Sequence, residues 1–199
     1  VAGGATTLIL PLGATEQHGP HLPLGTDTFR AVALAERLAA QLPEALVAPV
    51  LPIGCSDEHG GFAGLLSLDH ATLADVTVDC ARRVAAWGIR RLVLISAHGG
   101  NGQALALATA RLAEELPALQ VWIPAASTTL SPDLLAVAQA EGISEMAVGL
   151  HAGEGETSLM MALCPEAVNM DAFSGERWYV ESAARATTGT GARGRDLIL

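Results

Sequence analysis

The segment Leu92–Ser96 (LVLIS) constrains the fold most, because it is a short and continuous apolar run. A strand that is apolar on both faces belongs to a parallel sheet covered by helices on both sides. The glycine-rich turn Gly99–Gly102 follows, and a helical pattern then extends to Leu116. This strand–turn–helix order predicts an α/β fold with a mainly parallel sheet, in which ligands bind at the carboxyl ends of the strands.

The rest of the chain alternates strands and helices in the same way. Further strands are predicted at Thr6–Pro11, Leu46–Ile53 and Val121–Pro124. The prolines at 49 and 52 indicate that the second of these is an edge strand or bent. Helices are predicted over Thr28–Leu42, from a cap at Ser67 or Asp69 to Trp87, from Ser131 to near Gly142, and over Glu154–Leu163. We expect one domain over residues 1–199, and the absence of a starting methionine suggests a trimmed chain.

Composition excludes several functional classes. The net charge of −10 argues against nucleic acid or an anionic membrane surface as a partner. No apolar run reaches the roughly 18 residues that a membrane-spanning helix needs. The three scattered cysteines suit neither a disulfide framework nor a CxxC metal site, and there is no signal-peptide pattern. We therefore expect a cytoplasmic protein.

Polar residues follow the first strand at a spacing that suits a metal ion. Glu16 and His18 are two residues apart, and such side chains point the same way in an extended segment. Asp27 stands at the start of the next helix, where a carboxylate bridges two metal ions or simply caps the helix. The first strand end therefore supplies up to three ligand candidates.

Two later segments carry the same residue types. His98 follows the strand Leu92–Ser96, and His151, Glu154 and Glu156 lie on a glycine-containing segment that leads into the last helix. Histidines and carboxylates without thiolates suit a catalytic Zn²⁺, Mn²⁺ or Fe²⁺ site. Because these groups lie at predicted strand ends or adjoining loops, the sequence predicts a catalytic metal centre.

Alternatives remain for the individual residues. His98 is equally compatible with a packed histidine, and the Gly99–Gly102 turn with a phosphate cradle at a helix N-terminus. That turn lacks both the GxGxxG pattern and a P-loop lysine. Ser96 and Cys55 do not lie in a recognisable nucleophile elbow. A catalytic serine or cysteine is therefore the weaker hypothesis.

Residues 13–27 (GATEQHGPHLPLGTD) resemble the N-terminal signature of the creatininase family of metal-dependent amidohydrolases. Segments 54–64 (GCSDEHGGFAG), 98–101 (HGGN) and 151–158 (HAGEGETS) are similar to later motifs of that family, in the same order. The resemblance implies a three-layer αβα fold and one or two divalent metal ions per chain. It also implies homo-oligomers, often hexamers. The expected reaction is hydrolysis of a C–N bond in a cyclic or linear amide by metal-bound hydroxide.

The resemblance further implies roles for single residues. The implied metal ligands are Glu16, His18, Asp27, His98 and Glu156, with Asp27 as the bridge and Glu156 as either ligand or catalytic base. His151 matches the histidine near the substrate, and we expect it to protonate the leaving nitrogen. The expected substrate contacts are Ser56, His59, Gly99 and Trp178, of which His59 could equally be a surface residue and Trp178 a packing residue.

One position departs from the members that cleave creatinine, which carry His-Tyr-Glu-Asn at residues 98–101. Gly100 cannot supply the missing carboxylate. Either Glu156 completes a second metal site, or only one metal binds tightly. Relatives with the HGGN version include a formamide deformylase and a peptidase that trims the mycofactocin precursor. The substrate is therefore left open between a small-molecule amide, a formamide and a short peptide. The alternative from another class is a metal- or small-molecule-binding module without turnover.

Overall fold

The computed structural model describes residues 4–124, 132–149 and 151–173, and within these ranges four strands form one parallel sheet. The strands are β1 (Thr7–Leu12), β2 (Ala45–Val47), β3 (Arg91–Ser96) and β4 (Gln120–Trp122), in the order β2-β1-β3-β4. β1 and β3 lie in the centre and pair over their full length, from Thr7 opposite Arg91 to Leu12 opposite Ser96. Their carboxyl ends therefore lie side by side.

Helices connect and cover the strands. They are α1 (Thr26–Gln41), α2 (His70–Ala86), α3 (Gly102–Glu115), α4 (Pro132–Ala140), α5 (Glu145–Val148) and α6 (Glu154–Leu163). Short 3₁₀ turns at Asp57–His59 and Gly99–Asn101 precede α2 and α3. None of the described helices is both long and apolar enough to cross a membrane.

The side chains of β1 alternate between two apolar clusters. Leu8 and Leu10 pack with residues of α2 and α3, while Ile9 packs on the opposite face against Ala35 of α1. Helix α6 in turn packs against α1. The sheet is therefore covered by helices on both faces, which confirms the predicted three-layer αβα architecture.

The predicted second strand, Leu46–Ile53, is wrong in length. β2 spans only Ala45–Val47, since Pro49 has no N–H to donate and the chain then bends away. Beyond β2 the chain still makes single hydrogen bonds to β1, such as that from Leu51 N to Pro11 O at 3.0 Å. β4 likewise ends at Trp122 rather than Pro124. The predicted edge position of β2 is confirmed.

The ends of α2 follow the sequence signals. Asp69 is the N-cap, because its carboxylate accepts from Thr72 N at 2.8 Å, so the alternative cap at Ser67 is wrong. Gly88 follows the helix with φ +95°, the left-handed conformation that glycine tolerates best. Ser131, the predicted cap of α4, and the tail after Ser174 lie outside the described residues.

Candidate metal centre

The loops that follow β1 and β3 are tied together by the fully buried side chain of Asn101. Its Oδ1 accepts from Cys55 N at 2.9 Å, and its Nδ2 donates to Gly13 O at 3.0 Å and to Ser96 Oγ at 3.1 Å. At Gly54, a Cβ would lie 2.6 Å from Gly13 O and overlap the Asn101 amide. Three loops therefore meet in one fixed arrangement at the carboxyl edge of the sheet.

Glu16 and His98, from the loops after β1 and β3, form what we call the strand half of the site. His98 Nδ1 lies 3.4 Å from Glu16 Oε1 and 3.3 Å from Asp27 Oδ2. The other ring nitrogen, Nε2, donates to Cys55 O at 2.8 Å. Because Nε2 carries the hydrogen, Nδ1 has a lone pair for a metal ion in the neutral ring.

His18, Glu156 and Arg30 form what we call the helix half. His18 Nε2 lies 3.6 Å from Asp27 Oδ1 and 3.7 Å from Glu156 Oε2. Arg30 Nη1 donates to Asp27 Oδ1 at 3.0 Å and also to Glu156 Oε1. Asp27 thus lies between the halves, with Oδ1 toward the helix half and Oδ2 toward the strand half, as a bridging carboxylate would.

Asp27 owes its position to an early helix start. α1 begins at Thr26, two residues before the predicted Thr28, so Asp27 belongs to its first turn. Gly25 is the N-cap, and no side chain caps this helix. The interpretation of Asp27 as a cap is therefore wrong. Its carboxylate is instead buried and faces His18 and His98.

Several polar atoms of the site are buried without a hydrogen-bond partner among the described residues. They include Glu16 Oε2, His18 Nε2 and Asp27 Oδ2. Leaving such atoms unpaired is costly, and a shared cation satisfies carboxylate and imidazole together. The ligand atoms of three trios each lie within 4.8 Å of one another, namely Glu16/His18/His151, Glu16/Glu58/His98 and His18/Asp27/Glu156. The residues present therefore fit a divalent metal ion.

The ionisation of these groups reflects their burial and mutual proximity. Burial raises the pKa of Glu16 to about 7. Burial opposes the charged form of both histidines, yet Glu156 and Asp27 raise the pKa of His18 to about 9, and Asp27 and Glu16 raise the pKa of His98 to about 9. The pKa of Asp27 is lowered despite its burial, because His18 and His98 face it. Without metal, the site therefore retains protons in the place of cations.

His151 and His59 lie on the solvent side of this cluster. Their side chains are 23% and 15% exposed, whereas that of Glu16 is 1% exposed. The His151 ring lies between those of His18 and His59, at centroid distances of 4.3 and 4.2 Å. Burial lowers the pKa of both, to about 4 for His151 with the added effect of the His18 charge. Both rings are therefore neutral near pH 7.

The loop before α6 aims Glu156 into the site. Ala152 has φ +49°, a left-handed conformation that is unfavourable for a residue other than glycine. Its N–H donates to Glu156 Oε2 at 2.6 Å. A Cβ at Gly153 would lie 3.2 Å from the Cα of Gly149 and overlap Val148 O. This tight turn is what places His151 and Glu156 together.

The remaining predicted residues have less direct positions. Ser56 is fully buried behind His98, with Oγ 3.3 Å from Nε2, and Gly99 is exposed at the first position of its turn. A substrate contact by either stays a prediction, and Trp178 lies outside the described residues. Burial raises the pKa of the Cys55 thiol to about 11, and Ser96 Oγ donates to His98 O. Neither residue is arranged as a nucleophile.

Residue 100, where the creatinine-cleaving pattern carries a glutamate, has no room for a side chain. A Cβ at Gly100 would overlap Cys55 O and the His98 ring and would lie 2.8 Å from Glu58 Oε1. Glu58 Oε1 is itself 3.5 Å from His98 Nε2. The Cys55 carbonyl, the His98 ring and the Glu58 carboxylate thus surround the position where a side chain at residue 100 would begin.

Sequence reasoning missed Arg30, Gln17 and Glu58 as members of the site. A signal existed for Arg30, since it follows Asp27 by three residues and so shares its face of α1. Gln17 stands between two ligand candidates and in an extended segment would point away from them. Glu58 is half exposed and depends on a loop whose path the sequence pattern does not fix.

Comparisons with known proteins place this chain in a family. The family described as Creatininase (creatinine amidohydrolase) matches residues 2–195. The mycofactocin precursor peptide peptidase of Mycobacterium tuberculosis is 36% identical over 187 residues, which are 89% of this chain and 64% of that protein. The creatinine amidohydrolase of Pseudomonas putida is 36% identical over 186 residues, covering 86% of this chain and 69% of that protein.

A solved structure of a mutant creatininase described as Zn-Zn type has a TM-score of 0.82 at 28% identity, covering 99% of this chain and 88% of that chain. This chain spans just under two thirds of the mycobacterial peptidase that it matches. Since the family match extends over nearly all 199 residues, the chain belongs to the creatininase family.

Proposed function

We propose that this chain is a metal-dependent hydrolase of carbon–nitrogen bonds in amides. The proposal rests on three buried atoms without hydrogen-bond partners among the described residues, namely Glu16 Oε2, His18 Nε2 and Asp27 Oδ2. They lie below the partly exposed rings of His59 and His151. A divalent ion bound there supplies Lewis-acid activation of water and of an amide carbonyl. The names of the relatives, a peptidase and a creatinine amidohydrolase, support the same reaction class.

The proposed binding set has a ligand group in each half. Glu16 and His98 would hold an ion in the strand half, His18 and Glu156 would hold one in the helix half, and Asp27 would serve both. Both Glu156 oxygens are already engaged, with Arg30 and with Ala152 N, which supports a fixed ligand rather than a mobile base. We therefore propose two metal ions per chain, drawn from Zn, Mn and Fe.

His151 is the proposed proton carrier. Its neutral ring has Nδ1 3.5 Å from Glu16 Oε1, at the solvent side of the ligand cluster. A neutral imidazole at that place accepts a proton from the attacking water and returns it to the leaving nitrogen. Arg30 neutralises Asp27 and Glu156 and thereby holds both carboxylates in position.

The substrate we propose is a linear amide, such as a short peptide or a formamide, rather than creatinine. Residue 100 has no room for the glutamate of the creatinine-cleaving pattern, and residue 99 is a glycine in place of its tyrosine. A non-catalytic metal-binding module is the alternative from another class. A cytoplasmic location and a homo-oligomer, hexameric by family resemblance, stay predictions, and light scattering on the purified protein measures the latter.

The test combines metal content with turnover. The purified protein is stripped, reloaded separately with Zn²⁺, Mn²⁺ or Fe²⁺, and assayed for release of amine from creatinine, a formylated amine and a tripeptide. We expect two ions per chain and turnover of a linear amide, both lost in Glu16→Ala and kept in Glu36→Ala, which alters an exposed residue of α1. Equal turnover by metal-free protein would refute the proposal. A loaded protein that turns over none of the amides would favour the binding module.

A further inference from the structure

We infer that Gln17 sets His59 and His151 as a donor–acceptor pair, in which His151 Nδ1 accepts the proton of water and His59 Nε2–H binds the oxyanion. The inference rests on the proposed amide hydrolysis and adds His59 to its catalytic residues. It also makes Gln17 a positioning residue.

The orientation of the Gln17 amide is fixed by Gly19. The Gly19 N–H can only donate, and it lies 3.1 Å from Gln17 Oε1. The other amide atom is therefore the NH₂ group. That group lies 3.1 Å from His59 Nδ1, to which it donates. It also lies 3.1 Å from His151 Nε2, but this contact is not a hydrogen bond, because His151 Nε2 donates to Gln17 O.

The tautomer of His151 follows from a backbone carbonyl. His151 Nε2 lies 2.5 Å from Gln17 O, which can only accept, so Nε2 carries the hydrogen. In the neutral ring Nδ1 is then bare, and it faces Glu16 Oε1 at 3.5 Å. Two acceptors that face each other need a polar hydrogen or a cation between them. His151 Nδ1 is thus directed at the position of a reacting water.

His59 has the same tautomer but the opposite orientation. Its Nδ1 faces the Gln17 NH₂ group and accepts, so in the neutral ring Nε2 carries the hydrogen. This Nε2–H lies 3.4 Å from Glu16 Oε1, which is longer than an ordinary hydrogen bond. An oxygen that gains negative charge beside it is a better acceptor than this distant carboxylate. His59 therefore presents a donor where His151 presents an acceptor.

The pair can serve amide hydrolysis without any change in its net protonation. Water attacks the carbonyl carbon, its oxygen forms the new C–O bond, and one of its protons passes to His151 Nδ1. The π electrons move to the carbonyl oxygen, which accepts a hydrogen bond from His59 Nε2–H without taking the proton. When the C–N bond breaks, His151 returns its proton to the leaving nitrogen.

The first test reads the tautomers directly by long-range ¹H–¹⁵N correlation NMR on protein labelled at histidine, metal-free and with Zn²⁺. The signals are assigned by comparison with His59→Gln and His151→Gln. We expect both rings neutral with hydrogen on Nε2. In Gln17→Glu the new carboxylate accepts from His59, so its hydrogen moves to Nδ1. The control Gln103→Glu places the same charge on an exposed position of α3 and leaves both tautomers unchanged.

A hydrogen on His59 Nδ1 in the parent protein would overturn the pairing. Loss of the His59 Nε2–H signal on addition of Zn²⁺ would also overturn it, because the ring would then be a metal ligand. If His59 has the same tautomer in Gln17→Glu as in the parent, Gln17 does not set that tautomer. These outcomes need no substrate, so they are independent of whether amides are hydrolysed.

The second test uses the amide that the metal-loaded protein turns over fastest in the panel above. We expect His59→Ala to lower kcat by about 100-fold or more with little change in KM, the size measured for loss of one oxyanion donor. His59→Asn keeps an N–H donor and should recover part of the loss. A kcat of His59→Ala within about threefold of the parent would refute the donor role. If no amide in the panel is hydrolysed, the proposed function fails and NMR alone decides the tautomers.

Discussion

The two halves of the site are held in place by different forces. In the strand half, His98 donates a hydrogen bond to Cys55 O, and the underlying loops are joined by the Asn101 amide. In the helix half, the Arg30 guanidinium lies against both Asp27 and Glu156. One half is therefore ordered by backbone and amide hydrogen bonds, and the other by charge.

This difference teaches how the halves should respond to a cation. Among the described residues, the ion-pair partners of Glu16 are all histidines, and its raised pKa records the cost of burying its charge. Arg30 already balances part of the negative charge of the helix half. A positive charge nearby weakens the binding of another cation. We therefore expect the first metal ion to bind the strand half, and the second to bind the helix half more weakly.

The largest effect should come from Asp27→Ala, which removes the one carboxylate that serves both halves. We expect both ions to be lost and kcat/KM to fall by about 10³-fold or more, since metal activation supplies several kcal/mol. Metal analysis and the amide assay measure this. Asp79→Ala is the matched control, because its exposed pair with Arg82 contributes little. Retention of one tightly bound ion would show that the halves bind independently.

Two variants, each of which damages one half of the site, test the proposed order of metal binding. Glu156→Gln should remove the weaker ion and leave about one per chain, because only the helix half is damaged. Glu16→Gln should remove the tighter ion and, through Asp27, weaken the other as well. Titration calorimetry on stripped protein measures both stoichiometry and affinity. If Glu156→Gln abolishes all binding while Glu16→Gln spares one ion, the proposed order of occupation is reversed.

The metal-free protein should lose stability as the pH rises above about 7. Folding raises the pKa of Glu16 from 4.5 to about 7, and those of His18 and His98 from 6.5 to about 9. Between about pH 7 and 9 the folded state therefore binds more protons than the unfolded state, because of His18 and His98, and the free energy of unfolding falls. Below about pH 7 the effect of Glu16 is opposed by His151, whose pKa falls from 6.5 to about 4 on folding, and by His21 and His59, whose pKa values are also lowered, so we expect no net fall there.

Thermal unfolding of stripped protein at pH 5, 7 and 9 measures the slope in each range. In Glu16→Gln the opposing histidines are left alone between pH 5 and 7, so stability should rise more steeply there than in the parent. Excess Zn²⁺ should reduce the slope throughout, because metal ions replace the bound protons. A midpoint temperature of the stripped protein that rises from pH 7 to 9 would contradict the described network.

The smallest effect concerns Arg30. In Arg30→Met the repulsion of a second cation disappears, so we expect the affinity of the helix half to rise about tenfold while that of the strand half changes little. The amide assay should still show lower kcat, because Glu156 and Asp27 lose a partner that positions them. Arg83→Met, on the exposed face of α2, is the control. A weaker second ion in Arg30→Met would mean that positioning outweighs repulsion.

The sequence predicts the strand half better than the helix half, and the reason is physical. Glu16 and His98 directly follow the two central strands, so the rule that ligands bind at carboxyl ends brings them together. The space shared by His18, Arg30 and Glu156 depends on how α6 packs on α1, which no local pattern encodes. The turn through Ala152 and the early start of α1 are further tertiary effects. Pro49 was a signal that β2 is short. The prediction gave more weight to the apolar run around it.

The closed space at Gly100 has a consequence for how members of this family could be converted into one another. A glutamate cannot be introduced at residue 100 by a single codon change without displacing Cys55 and His98, which themselves order the strand half. The backbone at Cys55 would have to move first, and that move would weaken the hydrogen bond that fixes His98. The HGGN and His-Tyr-Glu-Asn versions should therefore be separated by less active intermediates, and laboratory evolution between them should require changes around Cys55 together with the change at residue 100.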